Sequence, residues 1–370
     1  MLRLALALCC LALTACPAPT PTPDAGDPWS EPGPHPIGVT HFTLSSTDGG
    51  RSLPVELWYP AVDSAKAASA EGFGVETFES DPARQAQLTQ WLAATNEKCS
   101  PRRALGARDA APIDGPLPLL LFSHCTECFR FSFHSVAERL ASRGFVVAAA
   151  DHVDNTHFDG TAPITNAFLA VRADDVSSLL TAMLDAQDAR VPMSLRGKVD
   201  STRVAVFGHS FGAVTAGKVV ELDARVKAGF LVAAPVDSPF LNSGAVSRVT
   251  RPLSWLLAME DNSISYLGNG FIRDNFSKTP RPNVLIEVEN AGHWTFSDIA
   301  GLGGAFLPGC GDGLRDPDGG AFTYLDNDVG RAVAMRTLSA WAEWTLNGDE
   351  AAATALKLEI PSGTVHVKQR

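Results

Sequence analysis

A serine between two glycines lies where a predicted strand meets a predicted helix. The apolar run Val204–Phe207 leads directly into residues 208–212 (GHSFG), and apolar residues at helical spacing follow. A G-x-S-x-G segment in this setting is typical of a nucleophile elbow, a turn so tight that side chains at the glycine positions would clash. We therefore predict that Ser210 is a nucleophile at the carboxyl end of a sheet, where the helix N-terminus favours developing negative charge.

His293 is the candidate for the base that such a serine requires. A serine hydroxyl is a weak nucleophile until a base accepts its proton, and the usual chain order at an elbow is serine, acid, histidine. His293 lies just after the predicted strand Val284–Val288, on a loop at the same sheet edge as Ser210. The other histidines precede the serine, belong to the motif or lie outside the predicted core.

Two aspartates compete for the role of the acid, which holds the imidazole in the tautomer that accepts a proton from serine. Asp261 follows the predicted strand Leu253–Met259, and the chain has room for a strand and a helix on each side of it. Asp237 follows the earlier strand Val226–Ala234 and precedes Pro239 on an irregular loop. We choose Asp261 as the acid, and Asp237 stays the alternative.

Two backbone N–H groups are candidates for an oxyanion hole. At an elbow, one donor is the residue after the nucleophile and the other belongs to the loop after the first central strand. Here the strand Leu117–Phe122 is followed by residues 123–128 (SHCTEC). The predicted donors are therefore Thr126 and Phe211, and the predicted chemistry is acyl transfer through a serine.

The elements that must position these residues alternate along the chain. Beyond Pro116, short apolar runs suited to buried strands alternate with helical periodicity. This pattern predicts an α/β fold with a mostly parallel central sheet and helices on both faces. The runs Val39–Leu44 and Leu53–Tyr59 predict an N-terminal antiparallel hairpin. Residues 61–115 are interpreted as an insertion that covers the sheet, with one helix near Pro82–Ala94.

One domain is expected, from residue 38 to residue 348. A last amphipathic helix near Asp328–Leu346 stops at an Asn-Gly pair, and residues 349–370 are interpreted as a C-terminal tail. No stretch after the tether reaches the roughly 18 apolar residues of a membrane-spanning helix, so this part of the chain, called the body below, is expected to be soluble.

Five short segments of this body share a pattern with a known family. They are residues 36–39 (PIGV), 53–60 (LPVELWYP), 122–124 (FSH), 144–148 (GFVVA) and 208–212 (GHSFG). The chain resembles the α/β-hydrolase family of bacterial dienelactone-hydrolase-like and platelet-activating-factor-acetylhydrolase-like esterases, over most of residues 36–347. The resemblance implies a serine carboxylic-ester hydrolase for short-chain or lipid-like esters, without a metal or other cofactor. It assigns the nucleophile, acid, base and first oxyanion donor to Ser210, Asp261, His293 and Thr126.

The N-terminal residues predict export and a lipid anchor. Residues 1–15 contain Arg3 and the apolar run Leu4–Leu13, which is about half of the roughly 20 residues that span a membrane. The run ends in Leu-Thr-Ala-Cys, which resembles the lipobox of bacterial lipoproteins and makes Cys16 the lipidated residue; an ordinary signal peptide is the alternative. Residues 16–37 are rich in proline and threonine and predict an extended tether. The expected location is the membrane of the bacterial cell envelope.

Four cysteines stay in the body after the signal segment and Cys16 are set aside. In an oxidising compartment they predict up to two disulfides, whose pairing the sequence leaves open. Cys310 follows His293 closely enough that a disulfide there would pin the histidine loop near the oxyanion loop. The candidates are Cys99, Cys125, Cys128 and Cys310.

Two other classes of function are alternatives. Cys125 and Cys128 follow a strand and have the spacing of a thiol-disulfide oxidoreductase, although such a domain would be shorter and would leave Ser210 and His293 without a role. A catalytically silent, surface-anchored binding protein on the same fold is the second, because a fold does not fix a function.

Composition limits the partners. A chain of 370 residues with 45% hydrophobic content can bury a large core, and a net charge of −11 disfavours binding to nucleic acid. The loop from Asp312 to Asp318 has carboxylates spaced as in some calcium loops but lacks the EF-hand order, so a solvated acidic loop is favoured.

Overall fold

The computed structural model describes residues 27–45, 50–95, 98–99, 103–160, 164–239, 241, 246–316, 318–357 and 365–370. The predicted signal segment, Cys16 and the first part of the predicted tether lie outside these residues. None of the helices in the described ranges is long and apolar enough to cross a membrane.

Most strands of the described residues belong to one central sheet. In chain order the strands are β1 (Ile37–Ser45), β2 (Ser52–Pro60), β3 (Ala107–Arg108), β4 (Leu117–Ser123), β5 (Val146–Ala150), β6 (Val199–His209), β7 (Gly229–Val232), β8 (Leu253–Ala258), β9 (Val284–Val288), β10 (Asp312–Leu314), β11 (Ala321–Thr323) and β12 (Val365–Gln369). The sheet has the order β12-β9-β8-β7-β6-β4-β5-β2-β1-β3, and β10 and β11 form a separate hairpin.

The middle of the sheet is parallel. Strands β5, β4, β6, β7, β8 and β9 pair in parallel, and β1 and β2 form an antiparallel hairpin that joins them through β5. Every residue of β4, β5, β7, β8 and β9 is buried, as expected for strands covered on both faces. The predicted mostly parallel sheet and N-terminal hairpin are confirmed.

Helices cover both faces. They are α1 (Lys66–Glu71), α2 (Pro82–Ala93), α3 (His134–Ser142), α4 (Asn166–Leu184), α5 (Phe211–Leu222), α6 (Ser265–Lys278), α7 (Asn327–Ala342) and α8 (Glu350–Ala355). Successive residues of β4 point to opposite faces of the sheet: Leu120 packs in the core under α3 and α7, whereas Leu121 packs in the core under α4, α5 and α6. Because the central strands are parallel, their carboxyl ends lie at the same edge of the sheet, and α5 begins there directly after β6.

The predicted insertion, residues 61–115, contains α1, α2 and β3. Its predicted helix is present as α2, which begins after Asp81; the Asp81 carboxylate caps it by accepting hydrogen bonds from the N–H groups of Ala83 (3.0 Å) and Arg84 (2.9 Å). Strand β3 extends the sheet by pairing in parallel with β1. The insertion thus adds an edge strand as well as a cover.

Two boundaries differ from expectation. Strand β12, from the segment interpreted as a tail, pairs antiparallel with β9, and Ala352 and Leu356 of the same segment are buried. At the other end, Trp29 of the expected tether is buried, and the N–H of Gly33 donates to Ser142 Oγ at 2.9 Å. A short edge strand and a single anchoring aromatic residue gain their stability from distant partners, which local composition does not reveal.

Candidate active site

The turn from β6 to α5 holds Ser210 in a strained conformation. Ser210 has φ 55° and ψ −124°, a region that residues with a side chain rarely adopt. Its N–H donates to the carbonyl of Val232 at 2.8 Å, and its side chain is partly exposed. The turn therefore presents the hydroxyl at the carboxyl edge of the sheet, in front of α5.

The flanking glycines make this turn possible. A Cβ atom at Gly208 would overlap the carbonyl of Gly212, and a Cβ atom at Gly212 would overlap the carbonyls of Ser123 and His124. The start of α5 thus packs directly on the end of β4 and the loop that follows it.

His293 and Asp261 are hydrogen-bonded to each other. Nδ1 of His293 donates to Oδ2 of Asp261 at 2.7 Å, and both residues are 2% exposed. The other oxygen of Asp261 accepts hydrogen bonds from the N–H groups of Ser263 (2.9 Å) and Ile264 (3.1 Å), which fix the orientation of the carboxylate. Because an ionised carboxylate can only accept, Nδ1 carries the proton and Nε2 is left to accept one.

The alternative acid, Asp237, has different partners. Its Oδ2 accepts from the N–H of Val246 at 3.3 Å. The Asn275 side chain of α6 holds its backbone, accepting from the Asp237 N–H at 2.8 Å and donating to the Asp237 carbonyl at 3.1 Å. The structure therefore brings Asp261, rather than Asp237, to His293.

His209 connects the elbow to the histidine loop. Its Nε2–H donates to the carbonyl of His293 at 2.8 Å, and the two rings lie 4.9 Å apart. Burial, followed by the proximity of His293, holds the pKa of His209 well below its usual range. A neutral His209 thus ties the residue before Ser210 to His293. We had predicted no role for it beyond its place in the motif.

The two predicted oxyanion donors lie on adjoining segments. Phe211 is the first residue of α5, and Thr126 lies in the loop after β4, which packs on α5 through Gly212. Neither the Thr126 nor the Phe211 N–H has an acceptor among the residues that the structure describes. Two free N–H groups, one of them at the N-terminus of α5, can donate hydrogen bonds to the oxygen of a reacting carbonyl.

A disulfide between Cys125 and Cys128 encloses Thr126, with Cα atoms 5.1 Å apart. The N–H of Glu127 within it donates to the carbonyl of Asn155 at 3.0 Å, although Glu127 has a φ of 57°. Both sulfur-bearing residues are buried, and the next helix begins only at His134. The helix N-terminus that activates a thiol-disulfide oxidoreductase is therefore not beside these cysteines.

The second disulfide joins Cys99 to Cys310. We expected Cys310 to pin the histidine loop near the oxyanion loop; instead its partner is Cys99 of the insertion, because the oxyanion cysteines pair with each other. Gly301 packs directly against Cys99. This disulfide therefore fastens the insertion to the segment that follows His293.

Aromatic rings form a continuous series from His293 to α2. Trp294 lies 4.9 Å from the His293 ring and 5.0 Å from Phe306. His157 lies 5.0 Å from Phe306 and 4.5 Å from Trp91 of α2. Trp294, His157 and Trp91 are half-buried, so part of each ring faces solvent. We call four of these residues the aromatic wall: Trp294, Phe306, His157 and Trp91.

A second serine-histidine-aspartate series lies inside the protein. Ser123 Oγ is 2.9 Å from His152 Nε2, and His152 Nδ1 donates to Asp175 Oδ2 at 2.9 Å. All three are at most 1% exposed, and Arg172 donates to the Ser123 hydroxyl at 3.2 Å. Substrate cannot reach this series, so its role is to hold the ends of β4 and β5. The sequence contains no local motif for it.

The structure groups no metal ligands: within the described ranges, no three His, Cys, Asp or Glu side chains converge on a common point. In the acidic loop, Asp312 accepts from Thr323 Oγ1 and Asp318 from the N–H of Gly320, which are ordinary loop contacts.

Several proteins are similar to this chain. It is 25% identical over 222 residues to a platelet-activating factor acetylhydrolase of Bos taurus, covering 49% of this chain and 48% of the relative. The corresponding Cavia porcellus protein is 25% identical over 239 residues, covering 53% of each chain. The chain thus spans about half the length of these curated relatives.

A solved ferulic acid esterase from Streptomyces cinnamoneus superposes with a TM-score of 0.62 at 24% identity, over 85% of this chain and 91% of the other. The match confirms the α/β-hydrolase fold. The family model for platelet-activating factor acetylhydrolase, isoform II, matches residues 29–177 and 180–307. Since these segments cover most of the chain, the protein belongs to the platelet-activating factor acetylhydrolase isoform II family.

Proposed function

We propose that this protein is a serine carboxylic-ester hydrolase in which Ser210, His293 and Asp261 form the catalytic triad. The observation that carries the proposal is the His293–Asp261 hydrogen bond of 2.7 Å at the sheet edge where the strained Ser210 lies. The contact between His209 and His293 supports it, because it fixes the histidine loop to the residue before Ser210.

The first half of the proposed reaction forms an acyl-enzyme. Ser210 Oγ bonds to the ester carbonyl carbon as its proton passes to Nε2 of His293, and the carbonyl π electrons move onto the oxygen. The N–H groups of Thr126 and Phe211 stabilise that oxyanion. The tetrahedral intermediate then releases the alcohol, which takes the proton from the imidazolium that Asp261 stabilises.

Water completes the cycle. It attacks the acyl carbon while His293 accepts one of its protons, and collapse of the second tetrahedral intermediate restores the Ser210 hydroxyl and releases the carboxylic acid. His293 accepts or returns the proton at every step of the cycle.

The aromatic wall suggests the kind of ester. Half-buried rings beside the base offer apolar surface to the acyl or alcohol group of a substrate. Short-chain or lipid-like esters would suit this surface, and the similar proteins are an acetylhydrolase and a ferulic acid esterase.

The test is hydrolysis of p-nitrophenyl esters of increasing acyl length by the purified full-length chain and by Ser210→Ala. We expect hydrolysis by the wild type, labelling by a fluorophosphonate probe, and loss of both in the variant with an unchanged circular dichroism spectrum. Activity in Ser210→Ala above a trace would contradict the assignment of the nucleophile. An inert wild type would instead favour the silent binding protein.

For localisation we propose a lipid anchor at Cys16. The lipobox-like sequence and the proline-rich segment after it support the anchor. In a bacterial host, the wild type should partition with membranes, and Cys16→Ser should be released or left unprocessed. A processed Cys16→Ser protein that still partitions with membranes would contradict lipidation.

A further inference from the structure

Arg172 is a buried cation of α4 that the catalytic proposal does not use. It has no exposed surface. Its Nε donates to Thr215 Oγ1 at 3.1 Å and its Nη2 donates to Ser123 Oγ at 3.2 Å. The guanidinium also donates to the carbonyl of His124 and to Oδ1 of Asn155. A rigid guanidinium fork therefore joins α4 to three other segments: the end of β4, the loop after β5 and the first turns of α5.

One side of this fork holds the loop that carries Thr126. The His124 carbonyl, which accepts from Arg172, lies just before the Cys125–Cys128 disulfide. The side chain of Asn155 also accepts from Arg172, and its backbone carbonyl accepts from the N–H of Glu127 at 3.0 Å. Arg172 thus contacts the backbone before Thr126 directly and is linked to the backbone after Thr126 through Asn155.

The other side holds the start of α5. Thr215 Oγ1 accepts from Arg172 and donates to the carbonyl of Phe211 at 2.9 Å. The guanidinium carbon also lies 4.7 Å from the centre of the Phe211 ring. One side chain therefore contacts the segments of both predicted oxyanion donors.

The charge of Arg172 is poorly neutralised locally. Its four acceptors are neutral oxygens, and the pKa values of His124 and His152 beside it are held well below their usual range, chiefly by burial. Burial lowers the pKa of Arg172 to about 9, against the opposing effect of Asp175, so the guanidinium is charged at pH 7. Charge in such an interior interacts more strongly with a nearby anion than it would in water.

We propose that Arg172 is a positioning residue that fixes the N–H groups of Thr126 and Phe211 in one oxyanion hole, and that its charge favours the oxyanion. The inference rests on the proposed esterase function and assigns an activity-supporting role to a residue remote from the triad in sequence. The competing interpretation is that Arg172 only stabilises the fold.

Two substitutions separate the fork from the charge. Arg172→Lys keeps a protonatable amine but not the planar fork, and Arg172→Met removes both. We expect kcat for a p-nitrophenyl ester to fall roughly 10²-fold in Arg172→Met, the scale of losing one oxyanion donor, and less in Arg172→Lys. KM should change less than about threefold. The inhibition constant of a boronic acid, which forms an anionic tetrahedral adduct with serine, should rise in parallel with the loss of kcat.

Two substitutions at Thr215 test the same proposal if the arginine variants do not fold. Thr215→Val keeps the shape but removes the hydroxyl that links Arg172 to Phe211, whereas Thr215→Ser keeps the hydroxyl. We expect Thr215→Val to lower kcat and boronate affinity together, and Thr215→Ser to stay near the wild type. Arg336→Lys is the matched control for a buried arginine, because Arg336 donates to Asp27 and Ala355 instead. It should lower thermal stability without changing kcat.

The outcomes are distinguishable. Unchanged kcat and boronate affinity per folded molecule in both Arg172→Met and Thr215→Val, with an active wild type, would overturn the role of Arg172 and leave the esterase proposal standing. A wild type without ester hydrolysis or fluorophosphonate labelling would overturn the esterase proposal and this inference with it.

Discussion

At the scale of single residues, the His293–Asp261 contact makes the identity of the acid testable. Asp261→Asn keeps the oxygen that accepts from Ser263 and Ile264, so the loop should hold its shape. The amide can present an N–H to His293 and so stabilise the wrong imidazole tautomer. We expect kcat to fall roughly 10⁴-fold, as when an aspartate of this kind is neutralised. Steady-state kinetics with a p-nitrophenyl ester measures this loss.

Asp237→Asn is the matched control. Among the described residues, its carboxylate accepts from the N–H of Val246, at the start of a short 3₁₀ turn, and has no contact with His293, so kcat should stay within about twofold of the wild type. The reverse pattern, with a large loss in Asp237→Asn and little in Asp261→Asn, would assign the acid to the earlier strand.

Local patterns and chain order pointed to Ser210 and His293 and favoured Asp261 over Asp237, but they could not show which aspartate meets His293. Both aspartates follow buried strands, but Asn275 of α6 holds the backbone of Asp237, whereas Asp261 is hydrogen-bonded to His293. Arg172 could not be predicted, because its partners are scattered along the chain and meet only when β4, α4 and α5 pack together.

At the scale of elements, the oxyanion loop depends on its own disulfide. The Cys125–Cys128 crosslink encloses Thr126 and accompanies the left-handed conformation of Glu127. Without the crosslink, the loop can relax that conformation and turn the Thr126 N–H away. We expect Cys125→Ala with Cys128→Ala to lower kcat about tenfold at a similar KM, which corresponds to about 1.4 kcal/mol of transition-state stabilisation.

The other disulfide supplies the control. Cys99 and Cys310 are 211 residues apart in sequence, so their crosslink constrains the unfolded chain far more than the short loop does. Replacing both by alanine should cost about 2–5 kcal/mol in the free energy of unfolding, with kcat near the wild type where the protein is folded. Equal kcat values in the two double variants would contradict a role for the first disulfide in the oxyanion loop.

At the scale of the whole molecule, the alternation of strands and helices was predictable because buried parallel strands are nearly continuous apolar runs. The strands at the edges of the sheet were harder to predict from the sequence. Strand β12 has polar residues at His366, Lys368 and Gln369, and its pairing with β9 depends on a neighbour distant in sequence. The helix predicted in the Ala-rich insertion is present as α2, which Asp81 caps, but β3 is only two residues long and carries no periodicity.

The position of β12 leads to a prediction about the active site's support. It pairs with the whole of β9, the strand that leads to His293, and it buries Val365 against the core. Deleting residues 365–370 should therefore lower the free energy of unfolding by about 2–4 kcal/mol, given about 1.5–3 kcal/mol for a buried valine plus the strand pairing. Lys368→Met is the control, because it removes only the ion pair between the half-exposed Lys368 and Glu287, whose oxygen is 2.6 Å away. Arg273 still contacts Glu287, so the loss in the free energy of unfolding should be under about 1 kcal/mol. Urea unfolding measures both, and kcat measured at low temperature should match the wild type in each. If the deletion cost no more than Lys368→Met, β12 would contribute an ion pair rather than a strand, and the sheet that carries His293 would be stable without it.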